Sequence, residues 1–197
     1  MRKAALWAVV ALVSSSAHAK EAEWHLDKAH TSIGFSVRHL GLSTVRGELK
    51  DFDATILADG ATGRIVSVKA AAKAGSIDTG NEKRDSHLRS DDFFAADKFP
   101  TLSFATKSIQ WNGAQFTAVV ELTIRDVTKP VTFTGEVIGP RTLDFGDGKQ
   151  LRVGYSAKAK INRKDFGLRF NKIAEGVAVV ADEVEITIDL QASHPIG

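Results

Sequence analysis

Between Phe116 and Arg125 the side chains alternate almost strictly: Phe116, Ala118, Val120, Leu122 and Ile124 in one phase, with Thr117, Val119, Glu121, Thr123 and Arg125 in the other. A period of two puts one set on each face of a strand, and no helix satisfies it. The same period recurs along the chain. Thr31–His39 sets Ile33, Phe35, Val37 and His39 against Ser32, Gly34, Ser36 and Arg38. Leu151–Ile161 sets Leu151, Val153, Tyr155, Ala157, Ala159 and Ile161 against Arg152, Lys158 and Lys160, and Glu183–Ala192 sets Val184, Ile186, Ile188 and Leu190 against Glu183, Glu185, Thr187 and Asp189. This is the pattern of antiparallel strands with one face in water.

Further strands are expected at Trp24–Asp27, Arg64–Ala74, Thr101–Ile109 and from Val131 to Val137. Between Thr44 and Leu57 the phase changes, from Val45, Gly47 and Leu49 to Phe52, Ala54 and Ile56, so Lys50–Asp51 should hold a bulge or sharp bend. Asn112–Gly113 signals a tight hairpin, Asp126–Pro130 a reversal, and Gly139–Gln150 a flexible exposed loop. One helical turn is expected near Asp165–Gly167.

One stretch breaks the alternation. From Gly75 to Phe104 charge is dense, and two short helices are expected, one after Thr79 or Asn81 and one after Ser90, where Asp91 and Asp92 would suit a helix N-terminus. Phe93, Phe94 and Phe99 supply an apolar anchor, and Pro100 returns the chain to extended backbone at Thr101. A helical cap over the end of a sheet follows.

Residues 1–19 read as a signal peptide: Arg2 and Lys3, an apolar run from Ala4 to Val13, then Ala17-His18-Ala19 as a peptidase site. The run is shorter than the ~20 apolar residues a membrane span needs, so export to a periplasm without stable membrane insertion is expected. Of 197 residues, 178 then remain, as one domain from residue 20 to 197. Without Arg2 and Lys3 the 26 basic residues become 24, equal to the 24 acidic ones. A neutral chain with no basic face is not a nucleic-acid binder. Cysteine is absent, which removes disulfides, thiolate metal sites and thiol nucleophiles together.

No catalytic constellation stands out. Ser76, Ser86, Ser90 and His87 form no nucleophile elbow, and the two Asp-Phe-Gly triplets at Asp144 and Asp165 lack a glycine-rich loop and lysine. Asp27, His30 and His39 could be drawn as a metal site, but no paired ligand spacing supports it, so no metal and no cofactor are expected. Asp78, Arg84 and Arg89 in the cap have two readings, a site for a charged head group and ion pairs fixing the cap to the rim. An enzyme using His39 or this cluster as acid or base, and a ligand-free structural module, stand as alternatives to a binding protein.

About eight such strands make a two-sheet sandwich or a closed barrel. The inner phase mixes small residues (Gly47, Ala70, Ala72, Ala118, Gly135, Ala157, Ala159) with Phe35, Phe104, Phe133 and Tyr155. Either large residues close the gap or an apolar ligand fills it, because interiors pack to near-crystalline density.

Four blocks resemble the YceI-like family: Asp27–Leu49, Ser76–Phe104, Leu122–Phe133, and the pattern of Ile161, Arg163, Asp165, Phe166, Gly167 and Leu168. Asp126 stands where the family commonly has glycine, and aspartate tolerates left-handed turn geometry. The resemblance implies an all-β fold with a short helical cap, an eight-stranded antiparallel lipocalin-like barrel enclosing an elongated apolar cavity. Its ligand would be a polyisoprenoid, an isoprenoid quinone or a fatty-acid derivative, and a homodimer is compatible with it. Carried onto this chain, the wall would be Phe35, Val37, Leu49, Phe104, Leu122, Ile124, Phe133, Tyr155, Ile161, Val184 and Ile186. The mouth would be the cap with Phe93 and Phe94, together with Phe166 and Leu168, and His39, Tyr155 and Asn162 would be the polar groups near a head group.

Overall fold

The computed structural model describes residues 20–196 except Phe145, Asp147 and Glu175. The signal peptide expected at residues 1–19 lies outside the described residues.

The strands are β1 (Glu21–Leu26), β2 (Ser32–His39), β3 (Ser43–Leu49), β4 (Phe52–Asp59), β5 (Ile65–Lys73) and β6 (Ile77–Asp78). After the helix α1 (Glu82–Arg89) come β7 (Thr101–Asn112), β8 (Gln115–Ile124), β9 (Val127–Asp144), β10 (Lys149–Asn162), β11 (Ile173–Ala174), β12 (Val177–Ala178) and β13 (Val180–Pro195). β1 and β2 lie end to end along β13, which pairs with both, and β3 and β4 lie end to end beside them. Counting each bent pair as one strand, the ladder runs through β5, β7, β8, β9, β10 and β13 and closes on its start. The result is an eight-stranded antiparallel barrel, and closure removes the sheet edges that would otherwise invite aggregation.

The phase change at Lys50–Asp51 is the corner between β3 and β4. It is tied down by Lys50 N–H donating to the Ser76 carbonyl at 3.2 Å and Asp51 N–H to Ser76 Oγ at 3.0 Å. The alternation of β8 is equally faithful, with Phe116, Ala118, Val120, Leu122 and Ile124 all buried.

Four local expectations are corrected. Ser90 does not start a second helix: its hydroxyl donates to the His87 carbonyl at 2.7 Å and ends α1. The chain then turns through Ala95 at φ +47° and Phe99 N–H donates back to the Ala95 carbonyl, so Phe93 and Phe94 are carried on turns. The β7–β8 turn is Gly113–Ala114, because Asn112 still pairs with Gln115, and Gly113 supplies the positive φ at the first turn position. The reversal after Ile124 takes only Arg125 and Asp126, with the positive φ (+58°) on Arg125, while Val127–Pro130 already belong to β9. Most of the expected loop at 139–150 is ladder, since β9 and β10 stay paired out to Asp144 and Lys149. The short hairpin of β11 and β12 has no period-two signal long enough to read.

The core divides. One buried cluster under the cap contains Phe93, Val120, Ile124, Phe133, Phe166 and Leu168, and another at the opposite end contains Trp24, Ile56, Ile65, Val68, Val153 and Tyr155.

Candidate functional site: a lidded apolar lumen

A cavity of about 240 Å³ lies between these clusters and runs along the barrel interior. Two kinds of small residue behave differently around it. A Cβ on Gly47 would sit 2.5 Å from Phe35 Cζ, and one on Gly135 would sit 2.7 Å from Phe116 Cζ, so these glycines are seats for aromatic rings. Ala70, Ala72, Ala118 and Ala157 line the void, whereas Ala159 packs into the cap-end core without lining it.

Of the expected wall, Phe35, Val37, Leu49, Phe104, Leu122, Ile124, Phe133, Tyr155, Ile161, Val184 and Ile186 all face this cavity, as do Leu168, Phe93 and Phe94 at the lid. Phe166 does not: it is packed wholly into the core, where it supports Leu168. The reading also missed Ile33, Phe52, Leu88, Leu102 and Val180, and the buried Arg163. Leu88 faces inward from the cap, where no alternation exists to reveal a phase, while Leu102 shares the phase of Phe104 on β7.

Of the three polar groups expected near a head group, two are engaged elsewhere and one lies outside the lining. His39 stands at the end of β2, in register with Ser43 and Val180, outside the lining. Nine residues of extended chain, roughly 30 Å, separate it from His30, so these two cannot converge on one metal with Asp27. His30 instead pairs with Asp27 at 3.0 Å, and no three metal-ligating side chains cluster among the described residues. Asn162 caps the following turn by accepting from Lys164 N–H at 3.0 Å. Tyr155 lines the floor, but its hydroxyl donates to the Gly63 carbonyl at 2.6 Å, and burial pushes its phenol above the ordinary range.

The cap charges are held by hydrogen bonds within the Gly75–Phe104 stretch, and the one ion pair that Asp78, Arg84 and Arg89 make among the described residues, Arg89 with Glu82, lies inside α1 and does not reach the rim. Arg84 Nε donates to Thr79 Oγ1 at 2.7 Å and its Nη2 to the Thr79 carbonyl at 2.8 Å. Arg89 reaches Glu82 at 3.1 Å and the Ile77 carbonyl at 3.4 Å. Asp78 accepts from Gly80 N–H, and Asp85, only 3 % exposed, accepts from Thr79 N–H at 3.0 Å. None of Asp78, Arg84 and Arg89 touches the cavity.

Two arginines hold the far side of the lid. Arg125 Nη1 donates to the carbonyls of Phe93 and Gly167, at 3.2 and 3.1 Å, and its guanidinium lies over Phe99. This joins the β8–β9 turn, the cap and the Arg163–Phe166 turn at one atom. Arg163, 3 % exposed, donates to the carbonyls of Leu168 (2.6 Å), Ala181 (2.9 Å) and Val180 (3.3 Å) and pairs with Asp182 at 3.0 Å. A buried guanidinium so fully engaged is a brace. The family block contained it, but no spacing in the sequence announces such a role.

Of the remaining polar lining, Ser103 is exposed on its strand and the other side chains are occupied. Thr106 Oγ1 accepts from Val68 N–H, and Thr31 Oγ1 donates to the Asp27 carbonyl. Asp53 bonds Lys28 Nζ at 2.9 Å, and that bond holds its carboxylate below the usual range.

A closed eight-stranded barrel with an apolar lumen and an arginine-pinned lid defines a lipocalin-like binding barrel. The match to the YceI-like domain model extends over residues 24–192, and the chain belongs to the YceI-like family. Protein YceI of Escherichia coli O157:H7 is 33 % identical over 182 residues, 91 % of each chain. The solved YCEI protein of Campylobacter jejuni is 32 % identical, with a TM-score of 0.68 over 87 % of this chain and 97 % of that one. A polyisoprenoid binding domain from Saccharophagus degradans, implicated in plant cell wall breakdown, shares the fold at 14 % identity, with a TM-score of 0.65 over 89 % of this chain and all of that one.

Proposed function

We propose that this protein is a periplasmic carrier or store for a long-chain apolar molecule of the polyisoprenoid, isoprenoid quinone or fatty-acid class. It works by sequestration, with no catalytic group and no cofactor. The observation that carries this reading is a lumen lined by apolar side chains, whose tyrosine, arginine, aspartate and threonines at positions 31 and 106 already have partners in the barrel. Such a space repels charge. A chain of ten buried methylenes contributes about 8 kcal/mol, equivalent to a roughly micromolar Kd before ordering costs. The polyisoprenoid binding of the Saccharophagus domain and the signal-like residues 1–19 support the ligand class and the compartment.

Native mass spectrometry of protein purified from its own periplasm tests this. One prenyl or acyl species near one per subunit is expected. A clean apo mass, unchanged after incubation with quinones and fatty acids, would overturn the reading.

A further inference from the structure

Among the described residues, five large apolar side chains are exposed, and three of them lie together: Leu42 at 84 %, Ile173 at 60 % and Val177 at 47 %. The β2–β3 turn that carries Leu42 is fastened to the β11–β12 hairpin, because Leu40 N–H donates to the Val179 carbonyl at 3.0 Å and Val179 N–H to the Lys172 carbonyl at 2.9 Å. This paired tip belongs to the lid end. Three residues after Val177 the chain reaches Val180, which lines the cavity and stands in register with His39.

The charges around the tip are mostly positive. Arg38, Arg46, Arg169 and Lys172 each lie within four residues of one of the three apolar side chains, against a single acid in those spans, Glu175. All four are exposed and have no ion-pair partner among the described residues. The cap carries the opposite excess, Asp78, Glu82, Asp85, Asp91, Asp92 and Asp97 against Lys83, Arg84, Arg89 and Lys98. An anionic surface would therefore draw the barrel in by the tip rather than by the cap.

From this juxtaposition we infer that Leu42, Ile173 and Val177 form a docking tip that enters the head-group region of an anionic phospholipid leaflet, with the four cations against the lipid phosphates. The inference rests on the carrier reading for its purpose, loading an insoluble chain without passage through water, but docking itself needs no ligand in the lumen. Isolated exposed hydrophobes are ordinary, whereas a cluster flanked in the chain by cations that make no ion pair among the described residues, beside an apolar cavity, is the arrangement an interfacial anchor uses.

The test is co-sedimentation of the mature protein with vesicles of phosphatidylglycerol and phosphatidylethanolamine in equal parts, compared with phosphatidylcholine alone. Binding is expected only to the anionic vesicles and should weaken with added salt. Leu42→Asp, on an exposed turn where the fold and its Tm are unaffected, should lower binding about tenfold, the equivalent of one inserted leucine. Arg169→Glu with Lys172→Glu should lower it as well and flatten the salt dependence. Equal sedimentation of wild type and Leu42→Asp, or wild type left in the supernatant, would overturn the inference. So would self-association that Leu42→Asp abolishes, since the tip would then face a second copy. None of these outcomes alters whether a lipid is found inside the barrel.

Discussion

Replacing Ala70 by leucine tests directly whether the barrel interior is a void. Ala70 stands between Ala54 and Phe104 in the ladder, and all three side chains face the cavity. Leucine adds three carbon atoms there. If the space is empty in the ligand-free protein, their burial stabilises it by about 0.8 kcal/mol per carbon, close to 2.4 kcal/mol in total. For a domain of this size that raises Tm by roughly 5–10 °C. If the lumen were already packed, the same side chain would cost about 1–3 kcal/mol in strain. Calorimetry on solvent-extracted protein therefore reads the sign. Together with the rise in Tm, less long-chain ligand should co-purify, because the added carbons take up part of a 240 Å³ space. A fall in Tm in the extracted variant would refute the cavity as the structure shows it.

Three further outcomes follow from the lid, the floor and the acid limb. Arg125→Ala removes the donor shared by the Phe93 and Gly167 carbonyls, and each carbonyl left buried and unpaired costs about 1–3 kcal/mol. Amide exchange across residues 82–99 should quicken more than exchange in β8, and equal protection would show that the lid does not depend on this clamp. Tyr155→Phe leaves the Gly63 carbonyl without its donor and should lower stability by about 1–3 kcal/mol while leaving ligand binding unchanged. Loss of binding in a folded Tyr155→Phe variant would return the hydroxyl to the ligand. Asp27 concerns acid stability. Burial alone would raise its pKa, but the hydrogen bond and charge of His30, with Arg152, outweigh burial and hold it below the usual range. A group depressed in the folded state contributes stability that is present above its unfolded pKa, near 3.9, and lost as pH falls through the folded value. Asp27→Asn should therefore lower stability at neutral pH and flatten the decline below pH ~4, measured by urea midpoints; an unchanged acid limb would count against it.

Period-two alternation made the strands legible, and with them the wall residues from Phe35 to Ile186, because on a pleated sheet phase alone decides the face. The phase slip at Lys50–Asp51 likewise read as the corner it is. Three things depended on the closed barrel. The first was which small residues leave space: Gly47 and Ala70 each have a phenylalanine across the ladder, and only the placement of the rings shows that Phe35 fills the seat at Gly47 while Ala70 faces the void. The second was the fate of polar side chains. Tyr155, Asn162 and Arg163 found partners 92, 2 and up to 19 residues away, and residue type alone cannot indicate such choices. The third was the lid, where Ser90 had the local features of a helix start but ended a helix instead, its hydroxyl donating to the His87 carbonyl. Local patterning thus determined the strands and their faces, while the lumen, the clamping of the lid by Arg125 onto the Phe93 and Gly167 carbonyls, and the docking tip were decided by contacts between segments distant in sequence, which form only when the ladder closes.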